Sequence, residues 1–434
     1  MTSLQKIPWN KLSIASLLTI SGIVLLNIPI FGYYKYSTFD YLFRYPIYII
    51  GLVGWYICRP LLAINQWYRD NKKEGNHHNR QSVSVLIPAY NESHGIVETV
   101  ESVLKQSYSG PIEIVITDDG STDNTWEVIN WLAATYESVH TVRQENAGPG
   151  VARNTSLAHA TGELVLSLDA DTVLDFNTIR NMVKQFDNDV VAVGGNVNVN
   201  NDTGVLTKTQ LFDYSLSFSI GRMFQSRLNH VLCLSGSCSM FRRAVLDEVG
   251  GWKIDPKYAD DFELSIRMSE QGQIGFAQDA IAHTEAPTTI QGLWKQRTWW
   301  ARLGLSTMIL HWRSNLNPSY GAMGLIGLPL KTALMIGAVF QIGQLIHDIA
   351  TGSQLTTTIA AVIVFGIIST TAFSLIMVAL MVLILNNKKP LQYIPYLIVY
   401  FTVYRAFHTM ARLVGIMQAI KREFKDLLTK LIID

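Results

Sequence analysis

Charge is spread so unevenly along this chain that no single soluble core can accommodate all of it. Residues 1–68 and roughly 315–418 are apolar, whereas 69–285 read like a soluble α/β protein. Within the first block, residues 12–34 contain no charged side chain, and a helix of that length crosses a bilayer at a rise of 1.5 Å per residue. The run exceeds the apolar core of an ordinary signal peptide and lacks a small-x-small cleavage site, so it reads as an uncleaved span. A second candidate covers 45–66, with Arg59 near enough to its end to snorkel. Arg69, Lys72, Lys73 and Arg80 follow at once. The positive-inside rule therefore puts 69–285, and with it the N-terminus, in the cytoplasm.

Further candidate spans lie at 321–347, 358–385 and 391–416. Arg405 and Arg412 interrupt the last one. The basic run Lys421-Arg422-Glu423-Phe424-Lys425 suits the cytoplasm, while an odd number of spans puts it outside. A re-entrant or tilted interfacial helix would restore the parity. Lys331 also falls inside an apolar run. Either it faces a cavity or partner, or it marks the cytoplasmic end of a span that starts later. The net charge of +1 over 434 residues gives no argument for nucleic-acid binding. Cys58, Cys233 and Cys238 are too few for a disulfide framework and lack metal-ligand spacing, so they read as small buried side chains.

Inside the polar block, short apolar runs alternate with helical stretches. The strands are 83–88, 112–116, 140–142 and 163–168, and the helices lie near 94–106, 124–136 and 150–160. This alternation implies parallel β-α-β units, whose ligands bind at the carboxyl ends of the strands. Those ends carry polar clusters: Ala89-Tyr90-Asn91-Glu92, Asp118-Asp119-Gly120-Ser121 and Asp169-Ala170-Asp171. Carboxylates one residue apart, just past a buried strand, can share a hard divalent cation that neutralises a diphosphate. One such pair is weak evidence. Successive clusters in register are not explained as solvated turns.

The segments VSVLIPAYNE (83–92), DDGSTD (118–123), ENAGPGVARN (145–154) and LSLDADT (166–172) resemble family 2 inverting glycosyltransferases of the GT-A fold. The likeness continues through 234–252 and ADDFELSIR (259–267). With apolar flanks, the layout is similar to processive polysaccharide synthases of the poly-N-acetylglucosamine, hyaluronan and cellulose type. The resemblance implies a GT-A, Rossmann-like catalytic domain (69–285) inserted between transmembrane α-helices (1–68 and 316–434), with amphipathic interfacial helices at 286–315. It implies a UDP-sugar donor held by Pro88, Tyr90, Glu92, Asp118, Asp119, Arg153 and Asp169, and Mg²⁺ or Mn²⁺ held by Asp171 with Asp169. It implies a general base at Asp261, with Asp260 and Glu263 as rivals, and an acceptor pocket at Ser235, Gly236 and Ser237. The acceptor would be a growing glycan or a lipid-linked saccharide, the setting the cell membrane, and a small membrane accessory subunit a possible partner. A non-catalytic subunit would need degraded acidic clusters, and these are intact.

Processive synthases carry Gln-x-x-Arg-Trp on an interfacial helix. Here Gln296 and Trp300 match as acceptor-binding residues, but Trp299 stands at the arginine position. If the pyrophosphate still needs a cation from this helix, Arg302 is the expected donor. Arg297 lies about 200° around the helix from position 299, at 100° per residue, and is expected to face lipid headgroups. The segment 291–312, with Trp294, Trp299, Trp300 and Trp312, reads as a membrane-surface helix. No residue distinguishes UDP-glucose from UDP-N-acetylglucosamine.

Overall fold

The computed structural model describes residues 80–333 apart from two positions, 335–336, 396 and 399–433, together with 62, 65 and 66. Among the described residues no helix is long and apolar enough to cross a membrane. The candidate spans at 12–34 and 358–385 lie outside the described residues, as do most of 45–66 and the second half of 321–347.

The strands are β1 (Val83–Ala89), β2 (Ile112–Asp118), β3 (Val139–Arg143), β4 (Leu164–Leu168), β5 (Val173–Leu174), β6 (Val190–Val199), β7 (Cys238–Arg242) and β8 (Gln273–Thr284). They form one sheet in the order β3-β2-β1-β4-β7-β6-β8-β5. β3, β2, β1 and β4 are mutually parallel, as the alternation of strands and helices predicts. Each crossover is helical: α1 (Ile96–Leu104), α2 (Thr125–Thr135) and α3 (Pro149–His159). Ile96, Val100 and Val103 recur at helical spacing and are buried against the sheet. β1 and β4 are covered on both faces, which is why they read as continuous apolar runs. Pro88 fits in β1 because pairing with β4 ends at Leu86–Ser167, before a ladder donor would be needed there.

Beyond β4 the sheet changes direction. β7 runs antiparallel to both β4 and β6, and Leu168 lies opposite Cys238. This register sets the residues just before β7 beside those just after β4, so Ser235-Gly236-Ser237 meets Asp169. Cys233 and Cys238 are free thiols, Cys238 buried.

The last two long helices are α9 (Ile290–Leu310) and α10 (Arg405–Ile433), numbered after α4 (Thr178–Val183), α5 (Val205–Tyr214), α6 (Gly221–Arg227), α7 (Arg243–Glu248) and α8 (Asp260–Gln271). α9 and α10 pack lengthwise, close enough that a Cβ at Gly415 would run into the Thr298 carbonyl and the Ala301 side chain. The far end of α10 is bound to the catalytic domain. Lys257 Nζ pairs with Glu423 at 3.0 Å and Asp426 at 2.6 Å, and Arg422 donates to the Lys257 carbonyl at 2.8 Å. The tail therefore packs against the catalytic domain, and α10 is an amphipathic helix lying along it.

Arg297 does not face lipid headgroups. It is 3% exposed, with one guanidinium nitrogen 2.9 Å from Asp213 on α5 and 3.0 Å from the Tyr404 hydroxyl. Tyr404 and Tyr400 also donate to Asp213, at 3.1 and 3.4 Å. That face of α9 is covered by α5 and the segment leading into α10, which supply Asp213 and Tyr404.

Candidate active site

Three loops at the strand ends are tied together by hydrogen bonds. Asn91 has φ 57°, in the left-handed region that Asn tolerates better than most residues. Its side-chain oxygen accepts from the Thr122 N–H at 2.8 Å, and its own N–H donates to Ser121 Oγ at 3.0 Å. Asp119 accepts from Gln144 Nε2 at 2.7 Å and from the N–H groups of Ala147 and Gly148, both at 2.9 Å. Asp118 is fully buried and pairs with Arg143 at 3.0 Å. The carboxylates of the DDG motif are thus occupied by protein donors and shape the loop entering α3. Tyr90 projects beside them, 47% exposed, with its ring free to stack on a base.

Arg153, on α3, is the centre of the acidic cluster. It is 4% exposed and reaches Asp169 at 2.7 Å, Asp260 at 2.9 Å and Ser167 Oγ at 3.0 Å. Ser167 in turn donates to the Gly236 carbonyl at 3.0 Å. The Gly236 N–H donates to Asp261 Oδ2 at 2.7 Å, and a Cβ at Gly236 would stand 2.5 Å from Arg153 Nη2 and 2.8 Å from Asp261 Oδ2. Only glycine permits this approach. Ser235 and Ser237 bond each other through their hydroxyls at 2.6 Å.

Asp260 and Asp261 open α8, where the helix dipole favours negative charge. Their surroundings differ. Asp260 is ion-paired to Arg153, whereas Asp261 has a backbone donor and no cation within ion-pairing distance among the described residues. Burial, and then the Asp260 charge, hold the Asp261 carboxyl well above the usual carboxylate range against the pull of Arg153. Glu263 is turned away and held by Arg267 at 2.6 Å and His311 at 3.1 Å. It is structural.

Asp171 accepts from Thr172 and Thr284 hydroxyls, each at 3.2 Å. Burial, and then Asp169, push it up to about 6. Glu92 is pushed up to about 7 by burial, then by Asp171 and Glu285. Among the described residues no group of three or more His, Cys, Asp or Glu side chains is arranged to hold a metal. The crowding of Asp169, Asp171 and Glu92 nevertheless fits a hard cation that takes one or two carboxylates and completes its shell with diphosphate oxygens and water. Only the deprotonated carboxylate ligates, so the raised value moves proton competition up to near pH 6. Mn²⁺ affinity of the donor-free protein should fall roughly tenfold between about pH 8 and pH 5, one unit below the Asp171 value. Calorimetric Mn²⁺ titration at several pH values tests this, and a constant affinity would contradict it.

On α9, Trp300 is 37% exposed with the Arg297 guanidinium 4.4 Å from its ring centre. Gln296 lies beside Tyr214. Arg302 lies in the seam between α9 and α10, with its Nε buried and without a partner among the described residues. None of its contacts joins it to the acidic cluster. Sequence reasoning missed Asn91, Ser167, Asp213 and Tyr404. Asn91, next to a strand-end acid cluster, carried a turn signal, whereas Asp213 carried none.

A doubly covered sheet with acid clusters at the ends of β1, β2 and β4 defines a GT-A-like architecture. Residues 84–250 match the family model described as Glycosyl transferase family 2, and this segment is a family 2 glycosyltransferase domain. Poly-beta-1,6-N-acetyl-D-glucosamine synthase of Staphylococcus aureus (strain COL) is 29% identical over 279 residues, covering 62% of this chain and 66% of that protein. The synthase of the same name from Staphylococcus epidermidis (strain ATCC 35984) has the same identity and coverage. This chain thus aligns with just under two thirds of each relative. A mannosyltransferase from Pyrobaculum calidifontis, solved with GDP-Man and Mn²⁺, shares the fold with a TM-score of 0.55 and 24% identity, over 85% of this chain and 97% of that one.

Proposed function

We propose that this protein transfers a sugar, with inversion, from a UDP-sugar to the end of a β-linked glycan, from the cytoplasmic face of the cell membrane. N-acetylglucosamine is the sugar this reading favours, because the staphylococcal relatives are named for it. The observation that carries the proposal is the juxtaposition of Asp261, Gly236, Arg153 and Asp169 at one strand end.

In this scheme the acceptor hydroxyl oxygen attacks the anomeric carbon as the bond to the β-phosphate oxygen breaks. Asp261 takes the hydroxyl proton, and its elevated basicity suits that task. UDP departs with the bonding electron pair. Asp169 and Asp171 would hold Mg²⁺ or Mn²⁺, which supplies positive charge beside the diphosphate. Arg153 keeps Asp169 and Asp260 oriented and relieves their mutual repulsion. Tyr90 offers its exposed ring to the uracil. Asp118 and Asp119 act as positioning residues by shaping the loop under the nucleotide.

Membrane seating is supported by α10, where the exposed side chains Met410, Met417 and Phe424 recur every seven residues and form one apolar face with Ile420 and Leu428. Trp299 and Trp312 add exposed apolar surface on and just beyond α9. A second reading, addition of a single sugar to a lipid-linked acceptor, is favoured by one observation. Trp299 replaces the arginine of the processive motif, and Arg302 is enclosed in a helix seam instead.

Purified protein in nanodiscs, offered a panel of UDP-sugars with Mn²⁺, should release UDP from UDP-N-acetylglucosamine at least about tenfold faster than from UDP-glucose. Product length then separates the readings: long polymer for the first, one added residue for the second. An equal rate with both donors would remove the case for N-acetylglucosamine.

A further inference from the structure

Between α9, α10 and the segment around Lys331 lies a cavity of about 180 Å³ that the transfer scheme does not use. Arg297, Lys331, His408 and Arg412 line it, with Trp300 and Leu305 completing the wall. Arg297 is neutralised by Asp213. Lys331 and Arg412 have no carboxylate partner among the described residues. Lys331 is half-buried, its ammonium 3.6 Å from the ring centre of Phe262, the residue after Asp261. Arg412 is exposed at the rim. An ammonium drawn into an apolar setting without a counter-charge is costly, and a cation–π contact offsets only part of that cost. The cavity therefore presents positive charge beside apolar side chains that include Met335 and Ile416.

We propose that this cavity binds the phosphate ester of a lipid-borne acceptor, with Lys331 and Arg412 as its ligands. The inference rests on the glycosyl-transfer reading and adds the chemical class of the acceptor. A phosphate matches these residues because Arg and Lys form strong charge-assisted bonds to phosphate oxygens. A lipid matches because apolar side chains, Leu305, Met335 and Ile416 among them, share the lining with these cations. Trp300 stands between this anchor and the α9 surface, where a stacked sugar would lie.

The test measures binding to the full-length protein in phosphatidylcholine nanodiscs. The probes are a short-chain polyprenyl phosphate, the matching polyprenol, phosphatidylglycerol and inorganic phosphate. Polyprenyl phosphate should bind at least about tenfold tighter than polyprenol, and millimolar inorganic phosphate should compete with it. The double variant Lys331→Gln/Arg412→Gln should abolish that preference, while UDP affinity stays within about twofold and Lys331→Arg retains the preference. Equal binding of polyprenol, or a preference that survives the double variant, would overturn the proposal. So would equally tight binding of phosphatidylglycerol, which would mark the cavity as a bilayer headgroup site. Failure of the wild type to bind UDP would instead sink the donor reading.

Discussion

Replacing Arg153 with methionine should destabilise the folded protein by about 3 kcal/mol and abolish turnover. Removing one partner of a buried ion pair typically costs about 3–5 kcal/mol because the other charge is left uncompensated. The lower end applies here, since the Asp169 side chain keeps 38% of its surface in solvent. The damage would also be local. Without the guanidinium, Asp169, Asp260 and Asp261 face one another across the Gly236 turn, and nothing holds Asp169 toward the diphosphate. Arg153→Lys should recover part of the stability and little of the activity, because one ammonium cannot reproduce the fork to Asp169, Asp260 and Ser167. Thermal melts of the detergent-solubilised variants, followed with UDP release, test both effects. An unchanged melting temperature for Arg153→Met would show that the cluster is not held by this residue.

The first half of the sheet was legible because each of its strands is short, apolar and ended by turn chemistry. The expected strands at 83–88 and 112–116 extend in the structure only to Ala89 and Asp118. The second half was not legible. β6 reads VVAVGGNVNV, with paired glycines and asparagines that mask its strand character. Its partner β8 joins it across a register shift between Gly195 and Asn196. No local pattern announces that β7 reverses direction beside β4, yet that reversal brings Gly236 to Asp261. A helix was expected at 291–312 and spans Ile290–Leu310, because helical spacing is a local signal. Arg297 was misplaced for the complementary reason. Its partners Asp213 and Tyr404 are 84 and 107 residues away in sequence, and helical periodicity cannot say which face a distant segment covers. Asp260 and Asp261 differ for a similar reason. Adjacent in sequence and equal in type, they are separated only by which of them Arg153 reaches.

That separation leads to the largest catalytic effect. Asp261→Asn should lower the rate by about 10²–10⁴-fold, the usual contribution of a positioned general base. The amide preserves the side chain's size and its acceptance from the Gly236 N–H, so the turn should stay in place. Donor affinity should hold within about twofold, because the base acts on the acceptor hydroxyl and not on the nucleotide. Asp260→Asn should lose less in the chemical step, since Asp260 serves chiefly as a counter-charge to Arg153. The decisive measurement is UDP release, alongside UDP-sugar affinity, for wild type, Asp261→Asn and Asp260→Asn in the same nanodisc preparation. The account predicts intact donor binding with turnover lost in Asp261→Asn and substantially retained in Asp260→Asn. A nearly active Asp261→Asn beside an inactive Asp260→Asn would contradict it.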